Sequence, residues 1–150
     1  MNTFMKRAIE LAIQNVHEGG QPFGAVLVKD NQIITEGVNE LHINHDISGH
    51  AELLAIRRAQ SKLKTTDLSG YTMYASGEPC PMCLSAMYFS GIEQVYYCQT
   101  VEDAAIVGLT KSKEIYQDLK KDKANRTLAI SQIPLENMHE NPMKLFQEKN

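Results

Sequence analysis

The sequence predicts a single α/β domain, residues 1–150, with a mixed sheet that starts antiparallel, continues parallel and is flanked by helices. Three observations carry this expectation. The chain has 150 residues, 43% of them hydrophobic, enough for one buried core. Two strand-like runs, Phe23 to Val28 and Ile33 to Val38, are separated only by Lys29-Asp30-Asn31-Gln32, a stretch rich in turn formers and short enough for a hairpin. From Tyr71 onward, strand-like and helix-like segments alternate, the order that joins parallel strands through helical crossovers.

In chain order, Phe4, Ala8, Leu11, Ala12 and Val16 recur at helical spacing behind Thr3, a candidate N-cap, and Gly19-Gly20 ends this first amphipathic helix. The hairpin follows. The polar run from Asn39 to Ser48 reads as a loop. Ala51, Leu54, Ala55, Ile56 and Ala59 then predict a second helix of about three turns, with His50 and Glu52 at its start. Tyr71 to Ser76 is a strand, followed by the turn Gly77-Glu78-Pro79-Cys80-Pro81 and a helix from about Pro81 to Ser90 that Gly91 caps. Pro81 suits the first helical turn, where its missing N–H would have had no partner. Val95 to Cys98 reads as a strand and Ile115 to Lys121 as part of a helix. Leu128 to Ile130 reads as a short strand, with a helix beyond Pro134. No repeat, low-complexity tract or linker interrupts the chain.

Composition narrows the function classes. No apolar run approaches membrane-spanning length, and Met1-Asn2-Thr3-Phe4-Met5-Lys6-Arg7 lacks the basic-then-apolar pattern of a secretory signal, so a soluble, cytoplasmic protein is expected. The formal net charge is −3 and the sequence pI about 5.9, which leaves no global positive field to gather phosphates and argues against a nucleic-acid partner. Three cysteines, two of them in one Cys-x-x-Cys, point to metal or redox chemistry rather than a disulfide framework.

The chemistry concentrates in two motifs, His50-Ala51-Glu52 and Pro79-Cys80-Pro81-Met82-Cys83, each where a loop or strand enters a helix. A lone Cys-x-x-Cys fits a redox pair or half a zinc finger, but neither accounts for a His-x-Glu at a second helix start; together they form the signature of zinc-dependent base deaminases. Unpaired N–H groups at helix N-termini favour the thiolates of Cys80 and Cys83, and neutral His50 completes three ligands for one Zn2+. Three protein ligands leave a tetrahedral position for water, the arrangement of a catalytic rather than a structural zinc. Glu52 is the expected catalytic base and acid: it takes a proton from the water that attacks the amine-bearing ring carbon, returns it to a ring nitrogen and assists the departure of ammonia. His42 and His45 lie in a polar loop and read as solvent-facing. Cys98 reads as a small buried hydrophobe, and Met82 and Met87 as core filler.

On these residues the chain resembles the cytidine-deaminase-like superfamily, and within it the guanine deaminase branch. The resemblance runs from the first helix to Tyr116 and includes Pro22-Phe23-Gly24-Ala25-Val26, Glu36-Gly37-Val38-Asn39, His50-Ala51-Glu52, Ala55-Ile56-Arg57, and Glu78-Pro79-Cys80-Pro81-Met82-Cys83 with Ala86 and Tyr88. It implies a three-layer fold with a five-stranded mixed sheet, zinc at the start of two central helices, a homodimer and a small-molecule nucleobase substrate. It also implies that Phe23 stacks on the base, that Asn39 hydrogen-bonds to it, that Ala51 is a third substrate contact, and that Pro79 and Cys80 frame the oxyanion side. Taken alone, Phe23 reads as strand core and Asn39 as a turn residue. The segment Gly108-Leu109-Thr110-Lys111 departs from the branch, leaving Asp103, Glu114 and Glu148 as candidate replacement carboxylates. Guanine is the expected substrate, with cytosine, guanosine and tRNA adenosine as alternatives. The alternative outside enzymes is an inactive zinc-binding scaffold, for which an unliganded Glu52 has no use.

Overall fold

A computed structural model describes every residue of the chain except Met138. The chain gathers into two compact units, Met1–Gln117 and Asp118–Asn150.

The first unit opens with helix α1 (Thr3–His17), capped by Asn2 rather than by Thr3: the Asn2 side chain accepts the N–H groups of Phe4 and Met5 at 2.8 and 3.1 Å. Met5, Ala8, Ala12 and Asn15 form its buried stripe. Strands β1 (Gly24–Lys29) and β2 (Gln32–Val38) make the expected hairpin. Asp30 and Asn31 turn it at φ 50° and 60°, the left-handed conformation that two-residue hairpin loops need and that these residue types tolerate. A short helix, α2 (Leu41–Asn44), occupies part of the run read as loop. Helix α3 (Ala51–Leu63) and strand β3 (Thr72–Gly77) follow, then α4 (Pro81–Ser90), β4 (Gln94–Gln99), α5 (Val101–Ile106) and α6 (Lys111–Leu119). Helix α5 escaped the sequence reading, although Thr100 and Asp103 form a capping box in front of it.

The sheet runs β2-β1-β3-β4; β1 pairs antiparallel with β2 and β3, and β3 pairs parallel with β4 across the α4 crossover. Residues from Gly24 to Val28 are all buried because helices cover both faces of β1. On one face Ala25, Leu27 and Met73 pack with Ala51, Ala55, Ile56 and Ala59 of α3 and Cys83 and Met87 of α4. Helix α1 packs against Gly24, and Phe4, Tyr74 and Tyr96 form a run of aromatic contacts on that side.

Two glycines let the helices approach. A Cβ at Gly24 would run into the Ala8 carbonyl oxygen of α1, and one at Gly37 into the Ala51 carbonyl oxygen of α3. Gly37→Ala is therefore expected to push the start of α3 off the sheet and cost roughly 1–3 kcal/mol. Denaturant unfolding together with zinc content measures this, and both should fall because His50 moves with the helix start.

In the second unit, the Asp118 carboxylate accepts the backbone N–H of Thr127 at 3.1 Å and its hydroxyl at 3.0 Å. Helix α7 (Pro142–Lys149) is capped by the Asn141 side chain. The helix expected beyond Pro134 begins only at Pro142, and the part of that expectation at Met138 lies outside the described residues. Leu128 to Ile130 is not a strand, so the described sheet has four strands rather than five. Leu128 and Ile130 remain 79% and 69% exposed, and three residues that bury so little cannot offset the entropy of ordering them. Cys98 is a second correction: it is exposed, because β4 is an edge strand with little covering it, whereas Met87 is core and Met82 packs on the core as expected.

Candidate active site

The two motifs meet at paired helix N-termini on the α3/α4 side of the sheet. His50 is the N-cap of α3, in extended conformation at φ −81°, ψ 150°, and Ala51 and Glu52 form the first turn. Cys80 is the N-cap of α4, its sulfur accepting the Cys83 N–H at 3.4 Å, with Pro81 behind it as the sequence predicts. His50 Nδ1 lies 3.4 Å from Cys80 Sγ, and the donor atoms of His50, Cys80 and Cys83 all lie within 4.8 Å of one another. A tetrahedral zinc with Zn–S near 2.3 Å and Zn–N near 2.0 Å holds such a nitrogen and sulfur roughly 3.5 Å apart, so the donor set fits one ion of that size. Two soft sulfurs and an imidazole select zinc over magnesium or calcium.

Glu52 is 5% exposed and belongs to no ligand set among the described residues. Burial pushes its carboxyl up to about 7, and the nearby Cys80 adds to this, whereas His50 opposes it. This range lets a carboxylate accept and return a proton near neutrality. The two thiols share a proton: the hydrogen bond from Cys83 holds Cys80 down at about 4, with His50 and the Cys83 N–H assisting, and the same pairing and burial push Cys83 up. Contact with Cys80 raises the His50 imidazole. Cys80 is thus held as the thiolate where a dication would sit, and Cys83 would give up its proton as the ion arrives.

The residues implied as substrate contacts lie on segments that adjoin those of the two motifs. The Phe23 ring covers Gly77, three residues before Cys80 in the chain: a Cβ there would be 2.8 Å from the ring. Asn39 donates its backbone N–H to the Phe23 carbonyl at 3.2 Å, and the next residue, Glu40, donates to Gly49, which precedes His50, at 2.8 Å. Asn39 is buried, and its side-chain oxygen accepts the N–H of Leu41 two residues on, as its reading as a turn residue expects. The Ala51 methyl is fully buried in the core, so this residue can offer a substrate only its main-chain N–H at the start of α3. Pro79 is buried, and its carbonyl accepts the hydroxyl of Tyr116 from α6. Burial, followed by the charge of Glu78, pushes the Tyr116 phenol up to about 12, which keeps it a donor. The sequence reading gave Tyr116 no role; its only signal is an aromatic residue with a polar tip on an amphipathic helix.

Within the first unit, the other candidates are not brought in. His42 and His45 are exposed in and after α2, as expected. Asp103 is spent on its capping box, accepting the N–H of Thr100 at 2.8 Å, and Glu114 is exposed on α6. Glu148 lies in the second unit.

Known proteins are similar to this chain. Guanine deaminase from Bacillus subtilis (strain 168) is 43% identical over 89% of this chain and 85% of its own length. A crystal structure of guanine deaminase from Bacillus subtilis superposes with a TM-score of 0.90 at 40% identity, covering 99% of this chain and 95% of that one. A tRNA-specific adenosine deaminase from Aquifex aeolicus (strain VF5) is 38% identical over 63% of this chain and 62% of its own length. Residues 1–99, which hold both motifs and all three zinc donors, match the model of the cytidine and deoxycytidylate deaminase zinc-binding region, and the chain belongs to that family.

Proposed function

We propose that this protein converts free guanine and water to xanthine and ammonia, using one Zn2+ per chain held by His50, Cys80 and Cys83. The observation that carries the chemistry is three convergent zinc donors beside a buried carboxylate that is not one of them. Likeness to a guanine deaminase along most of both chains supports the substrate. When bound, zinc supplies Lewis-acid activation of water at neutral pH. Glu52 accepts one proton of the attacking water and donates it to a ring nitrogen, then takes the remaining hydroxyl proton and delivers it to the departing amine. Phe23 stacks on the purine, Asn39 hydrogen-bonds to its edge, and the N–H of Ala51 together with Pro79 and Cys80 frames the oxygen that replaces the amine. All of these residues lie within Met1–Gln117; the proposal treats residues 1–150 as one functional domain around them.

Assays of ammonia release from guanine, adenine, cytosine, guanosine and a tRNA anticodon stem-loop test the substrate. Guanine is expected to be turned over at least tenfold faster, in kcat/KM, than any other. The tRNA reading is the rival that similarity supports, but the matched tRNA deaminases cover less of this chain than the guanine deaminase does, 80% at most against 89%, and a net charge of −3 disfavours a polyanion. Exclusive turnover of the stem-loop or of cytosine would replace guanine and leave the zinc chemistry standing.

The working form is proposed to be a cytoplasmic homodimer. Free thiols at Cys80 and Cys83 suit a reducing compartment, and no described helix is long and apolar enough to cross a membrane. Helix α4 is apolar around most of its circumference, yet Tyr88 and Phe89 are 80% and 92% exposed, which calls for a partner surface. Light scattering is expected to give twice the 16.8 kDa of one chain, and Phe89→Asp to give one chain. A wild-type monomer at micromolar concentration would exclude the dimer.

A further inference from the structure

The carboxamide of Asn39 is held in one orientation by a chain of hydrogen bonds that begins at a group unable to turn over. The backbone N–H of Leu41 donates to Asn39 Oδ1 at 3.1 Å, which identifies that atom as the oxygen. The other end of the amide is then Nδ2, which donates to Gln21 Oε1 at 3.2 Å. Flipping Asn39 would set donor against donor at Leu41 and oxygen against oxygen at Gln21. An asparagine amide has two N–H donors and two lone pairs; one of each is committed here, leaving one N–H and one lone pair for a ligand.

The main chain around this pair is fixed as well. Asn15, 3% exposed on α1, donates its amide to the Gln21 carbonyl at 2.8 Å and to the Asn39 carbonyl at 2.9 Å. The Gln21 carbonyl also accepts the N–H of Phe23 at 2.8 Å, and the Phe23 carbonyl accepts that of Asn39 at 3.2 Å. Asn15 and Gln21 thereby tie together the two segments that carry the ring-stacking and edge-reading residues. Gln21 is the member that acts on the Asn39 side chain itself.

We propose that Gln21 is a positioning residue for substrate binding: its side-chain oxygen fixes which face of the Asn39 carboxamide meets the nucleobase, while Asn15 anchors both segments to α1. This rests on the reading of Asn39 as the base contact. Gln21→Met keeps the length of the side chain and removes the acceptor, so the Asn39 amide keeps the Leu41 N–H on its oxygen but loses the partner that holds its Nδ2 end in place. KM is expected to rise roughly threefold to tenfold, the worth of one neutral hydrogen bond, with kcat within about twofold of wild type. Gln21→Glu keeps an acceptor oxygen and should stay within about twofold of wild-type KM. Both proteins should retain wild-type zinc content and melting temperature, because Gln21 is neither a ligand nor core.

The deciding experiment is a double-mutant cycle with Asn39→Ala, measured with the base that the substrate panel identifies. If Gln21 acts through Asn39, Gln21→Met changes KM in the wild type and adds less than about twofold in the Asn39→Ala background. A KM unchanged by Asn39→Ala would overturn the reading of Asn39 as the base contact. If Asn39→Ala raises KM but Gln21→Met does not, or if Gln21→Met raises it equally in both backgrounds, the positioning role is wrong and the proposed function stands.

Discussion

Glu52→Gln is expected to leave zinc content unchanged and to lower kcat by roughly two to four powers of ten, about 3–5 kcal/mol of transition-state stabilisation. The substitution preserves size and hydrogen-bonding capacity in a site that is 5% exposed, so it should neither open a cavity nor strand a charge. It removes only the ability to take up and return a proton. The effect should appear in kcat far more than in KM, since the carboxylate acts as the proton moves and not as the base binds. Steady-state kinetics with metal analysis on the same preparation checks both halves. A variant that keeps its zinc and its wild-type rate would remove Glu52 from the mechanism.

Cys83→Ala should fail in a different way. Cys83 is fully buried at the first turn of α4, within the core cluster, and donates its N–H to Cys80. Losing its sulfur leaves two donors, so zinc content should fall below about a tenth of wild type. Because a tightly bound ion stabilises the folded state by mass action, the melting temperature should fall by roughly 10 °C. Adding excess zinc should recover little of either. The two substitutions therefore separate cleanly: one abolishes turnover in an intact holoprotein, the other dismantles the site.

The sequence made the centre of this site legible because its chemistry demands particular residue types at particular helix positions. His50 and Cys80 had to precede helices, and Pro81 and the apolar spacing after Ala51 announced those helices. Asp30-Asn31 announced the hairpin in the same way, through the one backbone conformation a tight loop imposes. What stayed hidden depends on contacts far apart in the chain. Asn15 looks like any polar residue near a helix end until α1 is laid beside the Gln21 and Asn39 segments, and Tyr116 acquires its partner only when α6 reaches Pro79. Cys98 and Leu128 to Ile130 failed for the complementary reason: a β-like composition does not say whether a strand has neighbours to bury it. The Asn39 amide shows both limits, since turn chemistry correctly places its oxygen on the N–H two residues ahead but says nothing of Gln21.

The most direct test of the account is a zinc titration of chelator-stripped protein followed by ammonia release from guanine. Activity should return in proportion to zinc bound and reach its plateau at one ion per chain, with magnesium and calcium restoring none. Full activity in the stripped protein, or a plateau unrelated to zinc at His50, Cys80 and Cys83, would contradict it.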